Sequence, residues 1–113
     1  MTALHTLNCQ PPEQWGGPMD AEHCQSLMAQ LHPDWELDLT HPRLSRTVRW
    51  QDYYQTMAFV NALAWVAHQQ DHHPDLEVGY NRCTVHFSTH AVGGLSQNDF
   101  ICAARMDALL ISS

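Results

Sequence analysis

The sequence predicts an α+β fold: a four-stranded antiparallel sheet with three helices packed on one face, in the order α-β-β-α-β-β-α. Two stretches alternate apolar and polar residues around a turn, the mark of antiparallel hairpins. Three others repeat apolar residues at intervals of three and four, with capping residues or prolines at their ends. At 113 residues, 44% hydrophobic and 15% charged, the chain can bury one core and is too apolar for disorder. One compact domain is expected over residues 19–113, preceded by a polar, Pro- and Gly-rich arm over residues 1–18.

The first helix is expected over residues 21–32, where Cys24, Leu27, Met28 and Leu31 form one stripe; Asp20 is its N-cap and Pro33 ends it. Trp35, Leu37 and Leu39 then alternate with Glu36, Asp38 and Thr40, and beyond the Thr40-His41-Pro42 turn Leu44, Val48 and Trp50 keep a period of two. A long helix over residues 52–70 shows Tyr53, Met57, Val60, Ala64 and Ala67 on one broad face. Pro74 closes that segment, because the residue before a proline avoids the helical region. The second hairpin joins residues 77–80 to residues 82–89 near Asn81, with Cys83, Val85 and Phe87 on one side and Thr84, His86, Ser88 and His90 on the other. After the Gly93-Gly94 loop, Ser96-Gln97-Asn98-Asp99 has the form of a capping box ahead of a helix carrying Phe100, Ile101, Ala104, Met106 and Leu109. A small sheet of this kind has open edges, and pairing of edges between two copies is a natural remedy.

Five Lys and Arg against twelve Asp and Glu give a formal charge of -7, a sign that repels phosphate backbones and argues against nucleic-acid binding. The densest basic cluster, Arg43, Arg46 and Arg49, reads as the solvated face of a strand. Cys9, Cys24, Cys83 and Cys102 form no C-x-x-C pair, so reduced thiols in a cytoplasmic protein are the simplest reading. The N-terminus lacks the basic and apolar regions of an export signal, and the most apolar stretch, residues 53–67, falls short of the roughly 20 residues a membrane span needs.

Histidine is the unusual feature. Five of the nine, His68, His72, His73, His86 and His90, fall around the end of the long helix and along the hairpin after it. An imidazole gives or takes a proton near neutrality, so several converging on one pocket suit paired acid and base work. His5, His23, His32 and His41 read as surface residues, and His86, mid-strand on the polar face, as structural. Metal binding is the rival reading, because His68 and His72 stand at i and i+4. Gln69, however, occupies the position that glutamate holds in H-E-x-x-H, and no cysteine lies close, so no metal is expected. Asp99 has two readings: a carboxylate that caps a helix, or one that orients an imidazole. Cys83 alternates with core residues and reads as an inert buried thiol. The sequence carries no Gly-rich phosphate loop and no G-x-S-x-G elbow.

The series His68-x3-His72-His73-Pro74-x5-Tyr80-x9-His90-x8-Asp99 resembles the signature of the pterin-4a-carbinolamine dehydratases, gap for gap. Ser88-Thr89-His90, Gly94-Leu95-Ser96 and the aromatic helix from Trp50 through Phe59 to Trp65 are similar too, so the resemblance covers about residues 19–113. It implies a four-stranded antiparallel sheet with three helices on one side. It also implies dehydration of 4a-hydroxytetrahydropterin, the spent cofactor of aromatic amino acid hydroxylases, to the quinonoid dihydropterin, without metal or organic cofactor. His72, His73 and His90 match the family's active-site histidines and Asp99 its supporting acid. The expected acid–base pair is His72 and His90, with His73, Ser88 and Thr89 holding the pterin and His68 supporting from behind. Pro74 is expected to fix the turn that presents the His pair, and Tyr80 to pack beneath the pocket. Implied partners are a second or further copies of the chain, as dimer or tetramer, and a hydroxylase or regulatory protein.

Overall fold

A computed structural model describes residues 3–111 of the chain. Its helices are α1 (Ala21–Met28), α2 (Tyr53–Gln70) and α3 (Gln97–Ile111), and its strands β1 (Glu36–Asp38), β2 (Arg43–Arg49), β3 (Asp75–Val78) and β4 (Arg82–Phe87). The order is the expected one. Both hairpins form, β2 pairs with β4, and the antiparallel sheet runs β1-β2-β4-β3. The period-two alternation in β4 decides which face meets the helices. Cys83, Val85 and Phe87 are buried there, together with Leu44 of β2, Phe59 and Leu63 of α2, and Phe100, Ile101 and Met106 of α3. Helix α3 is the centre of the core, buried on every side from Asn98 to Ala104.

Five local expectations are corrected. Helix α1 stops at Met28, because Gln30 and Leu31 turn inward on i→i+3 bonds to Leu27 and Met28, which lets Leu31 reach the core. Strand β3 begins directly after Pro74, and the hairpin turn is Gly79–Asn81, closed by the Gly79 amide on the Arg82 carbonyl at 2.8 Å. Tyr80 therefore stands at the tip of the hairpin, 64% exposed, and not beneath a pocket. In α2 the buried stripe is Thr56, Phe59, Leu63 and Ala67, whereas Tyr53 and Ala64 face outward; this helix is apolar almost all round, so spacing alone does not set its phase. Arg46 is not solvated. It shares the inner face with Leu44 and Val48, where Asp107 of α3 accepts from its Nη1 at 2.6 Å and from Trp35 Nε1 at 2.8 Å.

The arm packs along α3. Leu4 is 4% exposed within the core, and Arg105 donates through Nε to the Leu7 carbonyl at 2.9 Å. Asn98 ties the segment down further: its Oδ1 accepts from the Gln10 amide and Trp15 Nε1, and its Nδ2 donates to the Gln10 carbonyl.

The turn that ends helix α2 sets the direction of His72. Asp71 is left-handed (φ 51°, ψ 43°), its amide bonds the His68 carbonyl, and the His72 amide bonds the Ala67 carbonyl at 3.1 Å. This is a Schellman cap, which reverses the chain and turns His72 back toward the core. A β-branched residue tolerates that conformation poorly. Asp71→Val should lower unfolding stability by about 1–2 kcal/mol, while Asp71→Gly should keep or raise it; urea titration of the two variants distinguishes these outcomes.

Candidate active site

The cap delivers His72 to a buried carboxylate. His72 Nε2 lies 2.6 Å from Asp99 Oδ1, the imidazole stacks on Phe87 with ring centroids 6.1 Å apart, and Asp99 is 0% exposed. The second carboxylate oxygen, Oδ2, accepts from Thr89 Oγ1 at 2.8 Å and from the Ser96 amide at 3.0 Å. Ser96 Oγ in turn accepts from the Asn98 amide and shares a 2.8 Å bond with Thr89 Oγ1. Both readings of Asp99 therefore hold at once: one oxygen closes the capping box of α3, the other fixes an imidazole.

Burial works against the charged form of His72. The hydrogen bond and charge of Asp99, helped by the charges of Cys9 and Asp71, outweigh it and raise the imidazole's pKa. A raised folded pKa contributes stability that is fully present below the unfolded value, about 6.5, and is lost as pH rises through the folded one. The thermal midpoint should therefore fall as pH rises above neutral. Asp99→Asn should flatten that slope in a melting series from about pH 6 to pH 9.

Thr89 links the pair to the surface. It precedes a 3-10 turn, His90–Val92, and lines a hollow of about 410 Å³ together with Ser88, His90, Gly93 and Gly94 and with His41, Pro42, Arg43 and Asp75. His90 is exposed at this hollow, and Ser88 is half-buried in its wall. His73 is exposed beside buried His72, in the link between α2 and β3. His68 is not in the constellation: it lies on the outer side of α2 with its ring 5.7 Å from that of Trp65. The helical i, i+4 face that a metal reading requires is absent too, since α2 ends at Gln70 before His72. Among the described residues no cluster of three or more His, Cys, Asp or Glu is set to hold a metal ion. His86 is held from both sides, by Ser45 Oγ at 2.6 Å on one ring nitrogen and Glu77 Oε2 at 2.5 Å on the other, and so braces β2, β4 and β3 on the open face of the sheet.

A family model described as Pterin 4 alpha carbinolamine dehydratase matches residues 17–109. The chain belongs to the pterin-4a-carbinolamine dehydratase family. It is 57% identical over 109 residues to a Nitrosomonas eutropha protein, spanning 96% of this chain and 95% of that one. It is 47% identical over 108 residues to a Legionella pneumophila protein, spanning 96% of each. Both relatives bear the name pterin-4-alpha-carbinolamine dehydratase provisionally. Among solved structures, a Brucella melitensis protein described as a transcriptional coactivator/pterin dehydratase shares the fold, with a TM-score of 0.76 at 24% identity over 82% of this chain and 98% of that one. A pterin dehydratase-like protein identified as a RuBisCO assembly factor in the alpha-carboxysome gives a TM-score of 0.60 at 29% identity, over 73% of this chain and 95% of that one.

The hollow at His90 is also lined by His41, Arg43 and Asp75, none of which the sequence marks as part of a site. They come from the β1–β2 turn, the start of β2 and the start of β3, and no spacing along the chain links them to His90. No helix among the described residues is long and apolar enough to cross a membrane.

Proposed function

We propose that this chain dehydrates a 4a-hydroxytetrahydropterin to the quinonoid dihydropterin plus water, returning the spent cofactor of an aromatic amino acid hydroxylase to its cycle in the cytoplasm. The observation that carries the reading is the buried His72–Asp99 pair, bonded through Thr89 to the lip of the hollow where His90 stands. The reaction needs a proton delivered to the departing 4a hydroxyl and another removed from the neighbouring ring nitrogen, after which the C=N bond forms. No electrons leave the substrate, so two imidazoles in opposite protonation states suffice. Asp99 favours His72 as imidazolium, which suits it to be the acid through Nδ1, the nitrogen that Asp99 does not engage. His90, exposed to solvent, is then the base. His73, Ser88 and Thr89 hold the pterin, and His68 is left to the outer surface of α2. The deciding assay follows freshly generated 4a-hydroxytetrahydropterin by absorbance: catalysis must exceed spontaneous dehydration, and equality of the two rates rejects the reading.

A second reading, as a protein-binding module, has one observation behind it. The outer face of α2 leaves Tyr54 and Trp65 exposed, in a fold whose RuBisCO-assembling neighbour acts on another protein. Self-association of edge strands belongs to the same reading; sedimentation at micromolar concentration showing only monomer would count against a dimer or tetramer. A stoichiometric partner together with absence of dehydration would put this second reading first.

A further inference from the structure

Two of the four cysteines, remote in sequence, meet behind the candidate site. Cys9 Sγ on the arm lies 3.5 Å from Cys102 Sγ on α3, 93 positions further along the chain. We propose that Cys9 and Cys102 are a hydroperoxide-oxidisable pair whose disulfide staples the N-terminal arm to α3. The inference does not depend on the dehydratase reading.

The backbone around both sulfurs is already fixed. The Cys9 amide donates to Gln70 Oε1 at 2.7 Å, Gln10 is clamped by Asn98, and Leu7 by Arg105. Cys102 sits in the middle of the most buried helix. Closing from 3.5 Å to the roughly 2.05 Å of a disulfide asks for side-chain rotation rather than refolding. The two thiols also differ in the right sense. Cys102 donating to Cys9 favours Cys9 as thiolate, burial opposes this, and the charges of His72 and Arg105 support it, so the Cys9 pKa is lowered. That same bond, together with burial, drives Cys102 far up and keeps it a neutral thiol. When neutral, Cys9 has a second acceptor in the Asn98 carbonyl at 3.7 Å. Cys9 is half-buried and so within reach of a small oxidant, whereas Cys24 and Cys83 are fully buried, each pushed up by desolvation and with no thiol beside it.

The chemistry balances in two steps. The Cys9 thiolate attacks one oxygen of the hydroperoxide, the O–O bond breaks, and Cys9 becomes a sulfenic acid while hydroxide leaves and takes up a proton. The Cys102 sulfur then attacks the sulfenic sulfur, its proton goes to the departing hydroxyl, and water leaves as the S–S bond forms. Two thiols lose two electrons and hydrogen peroxide is reduced to two molecules of water.

The test uses the full-length, fully reduced chain and hydrogen peroxide. After treatment, alkylation and denaturation without reductant, intact mass should show the loss of two hydrogens and two alkylated thiols instead of four. Peptide mapping should place the link between Cys9 and Cys102. Oxidation should also slow limited proteolysis within the arm by about tenfold, since local opening then leaves it tethered. Cys9→Ser and Cys102→Ala should each abolish the mass change; should the buried Cys102→Ala fail to fold, the wild-type map decides alone. A different pairing, an intermolecular disulfide, or a Cys9 sulfinic acid beside an alkylatable Cys102 overturns the pair. Unchanged arm cleavage in the oxidised form overturns the staple.

Discussion

Asp99→Ala should be the most damaging single substitution in this protein, costing stability and turnover together. The carboxylate accepts from three groups: His72 Nε2, Thr89 Oγ1 and the Ser96 amide. All sit where water is excluded, so truncation leaves an imidazolium and the Ser96 amide unpaired, and it removes half of the capping box of α3, the Asn98 amide keeping its bond to Ser96 Oγ. Removing one partner of a buried ion pair costs about 3–5 kcal/mol, against a total of about 5–15 kcal/mol for a domain of this size. Asp99→Asn separates the two roles. The amide oxygen can still accept from the Ser96 amide, so the cap largely survives, but the charge that holds His72 protonated is gone. Urea titration should find the Asn variant losing less than half of what the Ala variant loses. The dehydratase assay should find turnover down about a hundredfold in both. Equal stability of Ala and Asn variants would mean that the ion pair, and not the cap, is what Asp99 contributes.

The parts of this fold that are legible in the sequence are those written in short stretches. The capping box at Ser96–Asp99 and the alternation of Cys83, Val85 and Phe87 against Thr84 and His86 each need fewer than ten neighbouring residues, and each is found. Their order carries the topology, because two hairpins leave β2 and β4 as natural neighbours at the centre of one sheet. Where the chain is apolar on all sides, as in α2, periodicity loses its phase and the buried stripe follows from tertiary packing. Arg46 reads as solvated in the sequence because its neutralising partner is 61 positions away on α3, although its parity with Leu44 and Val48 already puts it on the inner face. The candidate site divides in the same way. The motif names His72 and Asp99, and these are bonded to one another, whereas the tie from Asp99 to Thr89 and the Ser96 amide is seen only in the fold. The wall of His41, Arg43 and Asp75 and the meeting of Cys9 with Cys102 are products of the closed fold and leave no mark in spacing.

His90→Ala and His72→Ala should part company, and the difference tests how the labour is divided between them. His90 is exposed on a 3-10 turn whose closing bonds are main-chain, Val92 amide to Thr89 carbonyl and Gly93 amide to His90 carbonyl. No side-chain bond among the described residues runs through its ring, so truncation should leave the thermal midpoint within about 2 °C, the range of an ordinary surface substitution. Turnover should nonetheless fall by about 10²–10⁴-fold, the usual effect of removing a general base. His72→Ala strikes the same reaction but also opens a cavity beside Phe87 and strands a buried carboxylate, so its activity loss should come with a clear loss of stability. The pH profiles sharpen the contrast. With one imidazole required charged and the other neutral, the wild-type rate should fall on both sides of its optimum. Removing His90 should leave the alkaline limb, where His72 loses its proton, in place. If His90→Ala instead abolishes the alkaline limb, acid and base are exchanged; if it leaves turnover intact, His90 takes no part in the chemistry.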